Sequence, residues 1–466
     1  MKILYFGGGF VGACSAAVSA DSGHEVLVYD INSELVKNLA SFDSKKIGSS
    51  LFEKGLSDLL IRNKERIKFT DKIDDVKKII DEVEAVFMCL PTPEMDSTGE
   101  TNLVFYEQAA SELGQILKNR NDGQQSQYVL VINKSTVPIE MESRTKEILD
   151  SLGVKNYGVG SNPEFLVEGK AVEGSIKPER IVVGAWSEKD FEVFRKIYIR
   201  FTGASSDVSY IEVNPKEAAA GKLLANYMLF SRLANSYDVV GRVCEKFDDL
   251  QYENIKKILI GDSRIGSWGF YNSLFAGGSC FIKDARSLAH QLEEKQTEAD
   301  LVKDTLLGNQ RQLDNFLARP KKELNFDFKG KTVGILGLAF KRDSNDIRNA
   351  ASLGTTEFLL KEDVSEIKAH DPVAGENYLK YFSKNNAVEK IKIVDTNEKV
   401  IDGVDVLIIA TDWPQFREID EIIKEELPKG ALIMDGRRML QHKYKELAEF
   451  GYNIIAVGSP IIKAKN

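Results

Sequence analysis

Lys2-Ile3-Leu4-Tyr5-Phe6 runs directly into Gly7-Gly8-Gly9-Phe10-Val11-Gly12, and this stretch decides the fold. The first five residues predict a buried β-strand, and the glycines that follow predict a tight turn into a helix. The pattern is G-x-G-x-x-G, with its glycines at Gly7, Gly9 and Gly12. The first permits the turn, the second lets the backbone approach a pyrophosphate, and the third lets helix and strand pack closely. A purely structural glycine turn is the alternative.

The residues around this turn indicate which cofactor it suits. Phe10 and Val11 begin the predicted helix, whose free N–H groups and positive dipole would face a phosphate. The second predicted strand ends at Asp30, 18 residues after Gly12, where a carboxylate suits a ribose 2′-hydroxyl. Because Ile31-Asn32-Ser33 holds no Arg or Lys for a 2′-phosphate, we predict NAD rather than NADP.

Composition bounds the class of protein. The chain has 466 residues, of which 43% are hydrophobic and 29% charged, and at roughly 150 residues per domain we expect about three globular domains or subdomains. The net charge of −9 disfavours a nucleic-acid binder. No apolar run approaches the roughly 18 residues of a membrane span. The four scattered cysteines fit a reduced, cytoplasmic protein without a Cys/His metal site.

The first 200 residues alternate apolar runs with helical patterns, which is typical of a doubly wound α/β domain. The predicted strands are Lys2–Phe6, Glu25–Tyr29, Ala85–Leu90, Tyr128–Ile132, Tyr157–Val159 and Arg180–Val183. Residues 215–247 then predict one long amphipathic helix. Helical patterns continue to about residue 318, and Arg319-Pro320 predicts a break.

The last 140 residues predict a second α/β unit. Gly330–Leu338 resembles the N-terminal start but lacks its third glycine, so we expect no second cofactor site there. Further strands are predicted at Ile367–Ala369, Val406–Ala410, Ala431–Met434 and Asn453–Val457. The predicted fold class is therefore α/β, with two Rossmann-like doubly wound domains joined by a long central helix and a helical segment. The predicted boundaries are 1–212, 213–320 and 321–466.

A thiol at a predicted helix start is the second motif. Gly277-Gly278-Ser279 precedes Cys280, which we place in the first helical turn. The helix dipole and the nearby Lys283 would both lower the pKa of this thiol. Asp284 lies one turn further along on the same face, where a carboxylate can hold a water or move a proton. A buried structural cysteine is the alternative for Cys280, as for the other three.

Further polar pairs are predicted at one-turn spacing. Lys222 would be the only charge in the apolar stretch 218–224, with Asn226 on the same face of the long helix. A buried Lys needs an anion or a developing negative charge, and a surface Lys is the alternative. In Asn162-Pro163-Glu164-Phe165-Leu166-Val167-Glu168, we predict an Asn162 N-cap and a helix that places Glu164 and Glu168 on one face. Two solvated acids are the alternative there.

Two segments follow predicted strands at the edge where α/β sheets bind ligands. Thr92-Pro93 follows Ala85–Leu90, and Lys134-Ser135-Thr136-Val137-Pro138 follows Tyr128–Ile132. Ligands of such sheets bind beyond the carboxyl ends of the strands. Both segments are therefore candidate binding residues.

In this order, these stretches closely resemble the UDP-glucose/GDP-mannose dehydrogenase family over nearly the whole chain. Other matching segments are Arg264-Ile265-Gly266, Phe340-Lys341, Asp346-Ile347-Arg348 and Asp435-Gly436-Arg437. The run Ser279-Cys280-Phe281 looks like the UDP-glucose branch, although GDP-mannose enzymes share the Gly-Gly-Ser-Cys pattern. The sequence Trp268-Gly269-Phe270-Tyr271-Asn272, in a loop that the resemblance places over the hexose, departs from the family pattern.

The resemblance implies a four-electron oxidation of a sugar C6 alcohol to a carboxylate, with two NAD used in turn. Cys280 would be the nucleophile, Lys222 and Asn226 would stabilise oxyanions, Asp284 and Thr136 would hold a water, and Glu164 would be a base for hydrolysis. The cofactor would contact Gly7, Gly9, Phe10, Val11, Gly12, Asp30, Thr92, Pro93, Ser135, Thr136, Glu168, Lys283 and Arg348. The UDP-sugar would contact Glu164, Phe165, Leu166, Lys222, Asn226, Arg264, Gly277 and Lys341.

The resemblance also implies a homodimer built on the central helix, with Arg264 supplied by the partner subunit. The spacing of the cysteines and histidines predicts no metal site. The alternatives are the same chemistry on GDP-mannose or on a UDP-N-acetylhexosamine. A two-electron hydroxyacid dehydrogenase, which needs no cysteine, and a non-catalytic sugar-nucleotide sensor are the other classes considered.

Overall fold

The computed structural model describes residues 1–95, 98–120, 127–202, 207–383 and 386–465. The chain divides into two compact units, Met1–Ala225 and Asn226–Asn466. Each unit is built around its own sheet. The predicted three-part division at 212/213 and 320/321 stays a prediction.

The first unit has a mostly parallel sheet, and within the described ranges it contains eight strands. They are β1 (Lys2–Phe6), β2 (Glu25–Tyr29), β3 (Ile67–Thr70), β4 (Ala85–Met88), β5 (Val129–Asn133), β6 (Tyr157–Ser161), β7 (Arg180–Gly184) and β8 (Ser209–Val213). Their order is β3-β2-β1-β4-β5-β6-β7-β8, and the pairing of β6 with β7 is antiparallel. Strands β3 and β8 were missed from the sequence because each is short and partly exposed.

Helices cover both faces of this sheet. They are α1 (Phe10–Asp21), α2 (Ser33–Ala40), α3 (Ser44–Ser50), α4 (Leu56–Arg62), α5 (Ile73–Ile79), α6 (Val104–Lys118), α7 (Met141–Ser151), α8 (Ala171–Ile176) and α9 (Glu188–Ile197). Residues of β1 alternate between two separate cores, with Ile3 and Tyr5 in one and Leu4 and Phe6 in the other. A strand buried on both faces reads as a continuous apolar run, so the doubly wound prediction is confirmed.

The second unit repeats this architecture. Its strands are β9 (Thr332–Leu336), β10 (Glu366–His370), β11 (Ile391–Ile393), β12 (Val406–Ile409), β13 (Leu432–Asp435) and β14 (Asn453–Ala456). The order β11-β10-β9-β12-β13-β14 reproduces that of β3-β2-β1-β4-β5-β6. All of these strands pair in parallel across the described residues. The second α/β unit is thereby confirmed.

A long helix, α10 (Pro215–Ala234), spans the division between the units. The helices of the second unit are α11 (Arg242–Lys246), α12 (Tyr252–Ile260), α13 (Phe281–Glu294), α14 (Asp300–Leu324), α15 (Ala351–Lys361), α16 (Gly375–Phe382), α17 (Asn397–Ile401), α18 (Asp420–Glu426) and α19 (Tyr444–Phe450). Within the ranges the structure describes, none of the helices is both long and apolar enough to cross a bilayer.

Two helix predictions were wrong in detail. The predicted helix 215–247 changes to a π-helix over Asn235–Gly241 before α11 begins. In that π segment the Asp238 carboxylate accepts hydrogen bonds from Arg242 at 2.6 Å and from Arg311 at 3.0 Å. The predicted break at Pro320 is also absent, since α14 runs on to Leu324. The Arg319 guanidinium holds this turn by donating to the carbonyls of Ala456 and Ser459.

Candidate functional site

In the glycine turn between β1 and α1, the surroundings of Gly7 and Gly12 are crowded and those of Gly9 are open. Gly7 has φ +103°, and a Cβ there would lie 2.1 Å from the carbonyl oxygen of Cys89. A Cβ at Gly12 would lie 2.0 Å from the carbonyl oxygen of Gly7. A Cβ at Gly9 would meet nothing within 4 Å. Close packing therefore requires the first and third glycines, while the space at the second is open to a ligand.

Asp30 stands beside this turn, just beyond the end of β2. One carboxylate oxygen accepts from the backbone N–H of Gly8 at 2.6 Å, and the other accepts from that of Asn32 at 2.8 Å. Each carboxylate oxygen has about two acceptor sites, so Asp30 keeps capacity for a ribose hydroxyl. Phe10 and Val11 begin α1, where backbone N–H groups are free. Turn, helix start and carboxylate together fit the pyrophosphate and adenosine ribose of NAD.

The matching aspartate of the second sheet, Asp371, is used differently. It follows β10 as Asp30 follows β2. Its carboxylate accepts from the indole N–H of Trp413 at 3.0 Å. It also accepts from four backbone N–H groups, those of Leu338, Ala339, Val373 and Ala374. Asp371 therefore braces the turn after β9, and its acceptor sites are filled by the protein itself.

The loops after β4 and β5 are tied together at the carboxyl edge of the first sheet. The Thr92 hydroxyl donates to the carbonyl oxygen of Thr136 at 2.8 Å. The Ser135 hydroxyl lies 2.7 Å from both the backbone N–H and the carbonyl oxygen of Leu90, accepting from one and donating to the other. The carbonyl of Pro93 accepts from Asn102. The predicted binding residues at this edge of the sheet are thus joined by hydrogen bonds into one group.

Lys222 is buried, and its partner is Glu164. The ammonium nitrogen lies 3.1 Å from Glu164 Oε1, and both side chains are at least nine-tenths buried. The other oxygen of Glu164 accepts from the backbone N–H of Leu166 at 2.5 Å. The ring of Phe165, the residue after Glu164 in the sequence, has its centroid 5.2 Å from the Lys222 ammonium. The sequence prediction that a buried Lys222 needs an anion is met by a carboxylate of its own unit.

The helix predicted over 163–168 is wrong. Those residues form a loop and turn, Glu168 lies in the turn, and α8 begins only at Ala171. Asn162 does not cap a helix, because its side-chain oxygen accepts from Lys134 and Tyr198 and its amide donates to Val182. The N–H groups at the start of α8 are capped by Glu53, a residue far away in the sequence, whose carboxylate accepts from the backbone N–H groups of Gly169, Ala171 and Val172.

Lys134 is a buried group whose setting the sequence did not reveal. Its ammonium donates to Asn162 Oδ1 at 2.7 Å. Burial lowers the pKa of Lys134 to about 8, with Lys222 lowering it further and Cys89 and Glu164 acting in the opposite direction. The first unit therefore holds two buried lysines near one glutamate, an electropositive cluster.

In the second unit, Cys280 lies at the N-cap of α13, one residue before the first turn where we predicted it. Its side chain is exposed, and its carbonyl accepts from the backbone N–H of Asp284 at 2.8 Å. The Ser279 hydroxyl lies 3.5 Å from the sulfur. The other cysteines, Cys14, Cys89 and Cys244, are buried. Burial raises the pKa of all three thiols, to about 12 for Cys89.

Asp284 is fully buried although it lies only one turn from Cys280. Its carboxylate accepts from the side-chain amide of Asn226 at 2.6 Å, and the Lys283 ammonium lies 2.7 Å from its other oxygen. Lys283 is thus ion-paired with Asp284, whereas we had expected it to act on the Cys280 thiol. The result is a charged, hydrogen-bonded group beneath the start of α13.

The remaining predicted substrate and cofactor residues of this unit lie on loops. Arg264 follows α12, is exposed, and forms a 2.6 Å ion pair with Asp262. Arg348 forms a similar pair with Asp346 at 2.6 Å. Lys341 follows Phe340 with its ammonium 5.5 Å from that ring's centroid. Arg437 was given no role from the sequence. Its guanidinium bonds Asp412 and Ser273.

Comparison with known proteins identifies the class. Profiles of the UDP-glucose/GDP-mannose dehydrogenase family match the chain as its NAD binding domain over residues 1–202, its central domain over 216–311 and its UDP binding domain over 334–442. The chain belongs to the UDP-glucose/GDP-mannose dehydrogenase family. It is an NAD-dependent oxidoreductase of nucleotide sugars, and its cofactor is NAD, as the turn and Asp30 indicated.

Individual relatives extend over almost the whole chain. A UDP-glucose 6-dehydrogenase of Pseudomonas aeruginosa is 28% identical, with 99% of this chain and 98% of that protein covered. One of Bacillus subtilis is also 28% identical, over 99% and 94%. The structure of a UDP-glucose dehydrogenase from Pyrobaculum islandicum matches with a TM-score of 0.85 at 26% identity, covering 98% of both chains. A UDP-D-ManNAc dehydrogenase from Pyrococcus horikoshii shares the fold, with a TM-score of 0.81 at 22% identity over 98% and 99%.

Proposed function

We propose that this chain is a UDP-glucose 6-dehydrogenase, which oxidises the C6 alcohol of UDP-glucose to the carboxylate of UDP-glucuronate. The observation that carries the proposal is the exposed thiol of Cys280 at the start of α13, in a chain whose other cysteines are buried. A two-electron dehydrogenase has no use for such a thiol. The names of the relatives that match nearly the full chain support UDP-glucose as the sugar nucleotide.

The chemistry needs a thiol because oxidation must pass through an aldehyde. NAD supplies a hydride acceptor for each of the two oxidations. Loss of the first hydride from C6, with a proton leaving the hydroxyl, gives the aldehyde. The Cys280 thiolate adds to that carbon to form a thiohemiacetal, loss of the second hydride gives a thioester, and water releases the acid and restores the thiol. The N–H groups and dipole at the start of α13 favour the thiolate.

Charged and amide side chains are assigned to the reacting oxygens and to the hydrolytic water of this reaction. We assign Lys222 and Asn226 to the negative charge that develops on oxygen, where preorganised donors act most strongly. Asp284 and Thr136 are assigned to the hydrolytic water, and Glu164 to the removal of its proton. Burial of Glu164 against Lys222 supports this assignment, since the ion pair keeps that carboxylate in one orientation.

The remaining predicted contacts are assigned to the two nucleotides. The cofactor contacts proposed beyond the glycine turn and Asp30 are Thr92, Pro93, Ser135, Thr136, Glu168, Lys283 and Arg348. For UDP-glucose we propose the Phe165 and Leu166 backbone, Gly277, Lys341 and Arg264. Arg264 and Lys341 would supply positive charge for the diphosphate, which an acidic chain must gather locally.

We further propose a homodimer through the segment that follows residue 226. Apolar side chains are exposed there, at Met228, Val239, Val243 and Phe247. Exposed apolar groups repeated along one helical segment are typical of a protein interface. In such a dimer the Arg264 guanidinium would serve the partner's substrate.

The decisive experiment counts the NADH formed per UDP-glucose consumed by the purified enzyme. Two are expected, and Cys280→Ala should abolish formation of UDP-glucuronate while Cys244→Ala, at a buried cysteine, retains it. One NADH per sugar in the wild type, or acid formation by Cys280→Ala, would reject the thiol mechanism. A panel containing GDP-mannose and UDP-N-acetylhexosamines decides the sugar, and no turnover of UDP-glucose would reject that choice.

A further inference from the structure

Asn349 holds the segment that leads into Cys280. It lies two residues before α15 with φ +50°, a left-handed conformation that Asn tolerates better than most residues. Its side-chain amide donates to the carbonyl oxygen of Gly278 at 3.0 Å. A side chain of the 340–349 segment therefore reaches the backbone two residues before the thiol.

The backbone adds a second bond at the same place. The N–H of Gly278 donates to the carbonyl oxygen of Arg348 at 3.0 Å. Gly278 is thus hydrogen-bonded through both of its backbone polar groups to the adjacent residues Arg348 and Asn349. Two bonds to one residue fix both the position and the direction of the chain there.

The backbone before Cys280 also lies in close contact with the 340–349 segment. A Cβ at Gly277 would lie 2.2 Å from the carbonyl oxygen of Asn349. Gly278 has φ +91°, and a Cβ there would lie 3.0 Å from the Phe340 ring. Only glycines admit this approach. The pair before Ser279 and Cys280 is therefore required by contact with the 340–349 segment as well as by the turn.

The 340–349 segment is itself closed by hydrogen bonds. The N–H of Phe340 donates to the carbonyl of Asp346 at 3.0 Å. The Asp346 carboxylate accepts from the backbone N–H of Arg348 at 2.9 Å and from its guanidinium at 2.6 Å. Asn349 therefore belongs to a loop that is held by its own hydrogen bonds. Its bond to Gly278 joins this loop to the segment that leads into Cys280.

We infer that Asn349 is a positioning residue for the Cys280 thiol, an inference that rests on the proposed role of Cys280 as nucleophile. The bond from its amide fixes where the chain enters α13 and therefore where the sulfur lies. Attack on an aldehyde requires the reacting atoms to be held about 3–3.5 Å apart, and a misplacement of about 1 Å can lower the rate by ~100-fold. Loss of the amide should therefore slow the step that uses sulfur and spare the step that does not.

The test separates these two steps with the C6 aldehyde of UDP-glucose as substrate. Reduction of the aldehyde by NADH needs no thiol, whereas its oxidation by NAD does. Asn349→Gly keeps the left-handed backbone without strain and removes the amide. Asn349→Asp keeps a residue that tolerates this conformation but faces Gly278 with an acceptor. For each variant, kcat of aldehyde oxidation should fall about tenfold, the equivalent of one lost hydrogen bond, with KM and aldehyde reduction within about twofold.

Asn325→Gly is the matched control, because Asn325 has φ +52° in the same unit and caps α14. It should leave both directions unchanged. Equal loss of oxidation and reduction in the Asn349 variants, or loss of neither, would overturn the inference. Failure of the wild type to oxidise the aldehyde to the acid would instead reject the proposed function, so the two failures are distinguishable.

Discussion

At the scale of single residues, burial separates the four cysteines into one reactive candidate and three inert ones. Cys14 and Cys244 are completely buried, Cys89 nearly so, and Cys280 is exposed. A thiolate is the reactive form, and burial suppresses it. The sequence marked Cys280 by its glycine and serine neighbours, but the exposure that makes it usable is a property of the folded chain.

This difference predicts selective alkylation. Iodoacetamide at neutral pH should modify the native protein once, at Cys280, and activity should be lost in parallel with the label. Peptide mass spectrometry after labelling with and without denaturant measures this, because all four thiols should react once the protein is unfolded. Labelling of Cys89 or Cys244 in the native protein, ahead of Cys280, would contradict the burial seen here.

Lys134 predicts an unusual dependence of stability on pH. Its pKa is lowered to about 8 in the folded state, from an ordinary value of 10.5. Between these values the unfolded chain binds more protons, so the free energy of unfolding rises with pH. From about pH 7.5 to about pH 9.5 this lysine should add about 2 kcal/mol.

Urea unfolding of the wild type and of Lys134→Met at both pH values measures the effect. The wild type should gain stability relative to Lys134→Met as the pH rises. The control is Lys64→Met, at an exposed lysine, for which the gap to wild type should stay constant. A constant gap for Lys134→Met as well would show that Lys134 titrates normally.

At the scale of elements, the strands were the part most readily predicted from sequence. After Lys2, the residues of β1 alternate between two cores, so the run Ile3–Phe6 is continuously apolar and can be recognised as a strand without tertiary information. The loop after β6 was mispredicted because the side chain of Asn162 is engaged by Lys134 and Tyr198. These partners lie 28 and 36 residues away in sequence, and local pattern cannot anticipate them.

The candidate site shows the same division. The motif around Gly7–Gly12 and the position of Asp30 followed from spacing alone, because the turn, helix start and strand end are local. The hydrogen bond from Asn226 to Asp284 and that from Asn349 to Gly278 are contacts between segments that are far apart in the sequence. Such contacts become visible only when the chain is folded.

The glycine turn predicts opposite outcomes for two neighbouring substitutions. Gly12→Ala would place a methyl group 2.0 Å from the Gly7 carbonyl oxygen, and overpacking of this kind should cost about 2 kcal/mol or more. Gly9→Ala meets open space in the protein, so its melting temperature should match wild type. Its affinity for NAD should nevertheless fall about tenfold or more, since a pyrophosphate needs that space.

Thermal melts and calorimetric titration with NAD measure the two effects on the same preparations. Loss of stability in Gly9→Ala would show that the turn is more crowded than its geometry indicates. Undiminished NAD affinity in Gly9→Ala would show that the pyrophosphate passes elsewhere.

At the scale of the whole molecule, the exposed apolar side chains beyond residue 226 predict an oligomer that charge can disrupt. Met228→Glu combined with Phe247→Glu should convert the proposed dimer to a 52.0 kDa monomer, because burying unpaired carboxylates in an apolar interface is costly. Light scattering coupled to gel filtration measures the mass. Ile199→Glu, at an exposed apolar residue of the other unit, should leave the mass unchanged. A wild-type monomer would reject the dimer.

The two sheets share a strand order but differ in what their matching aspartates can still accept. Within the described residues, each Asp30 oxygen accepts one hydrogen bond and keeps acceptor capacity, whereas Asp371 accepts from four backbone amides and an indole. The duplicated scaffold is therefore chemically asymmetric, and a calorimetric titration should saturate at one equivalent of NAD per polypeptide. In the proposed reaction, the two oxidations would then use one NAD site in succession, and the first NADH would have to leave before the second NAD binds.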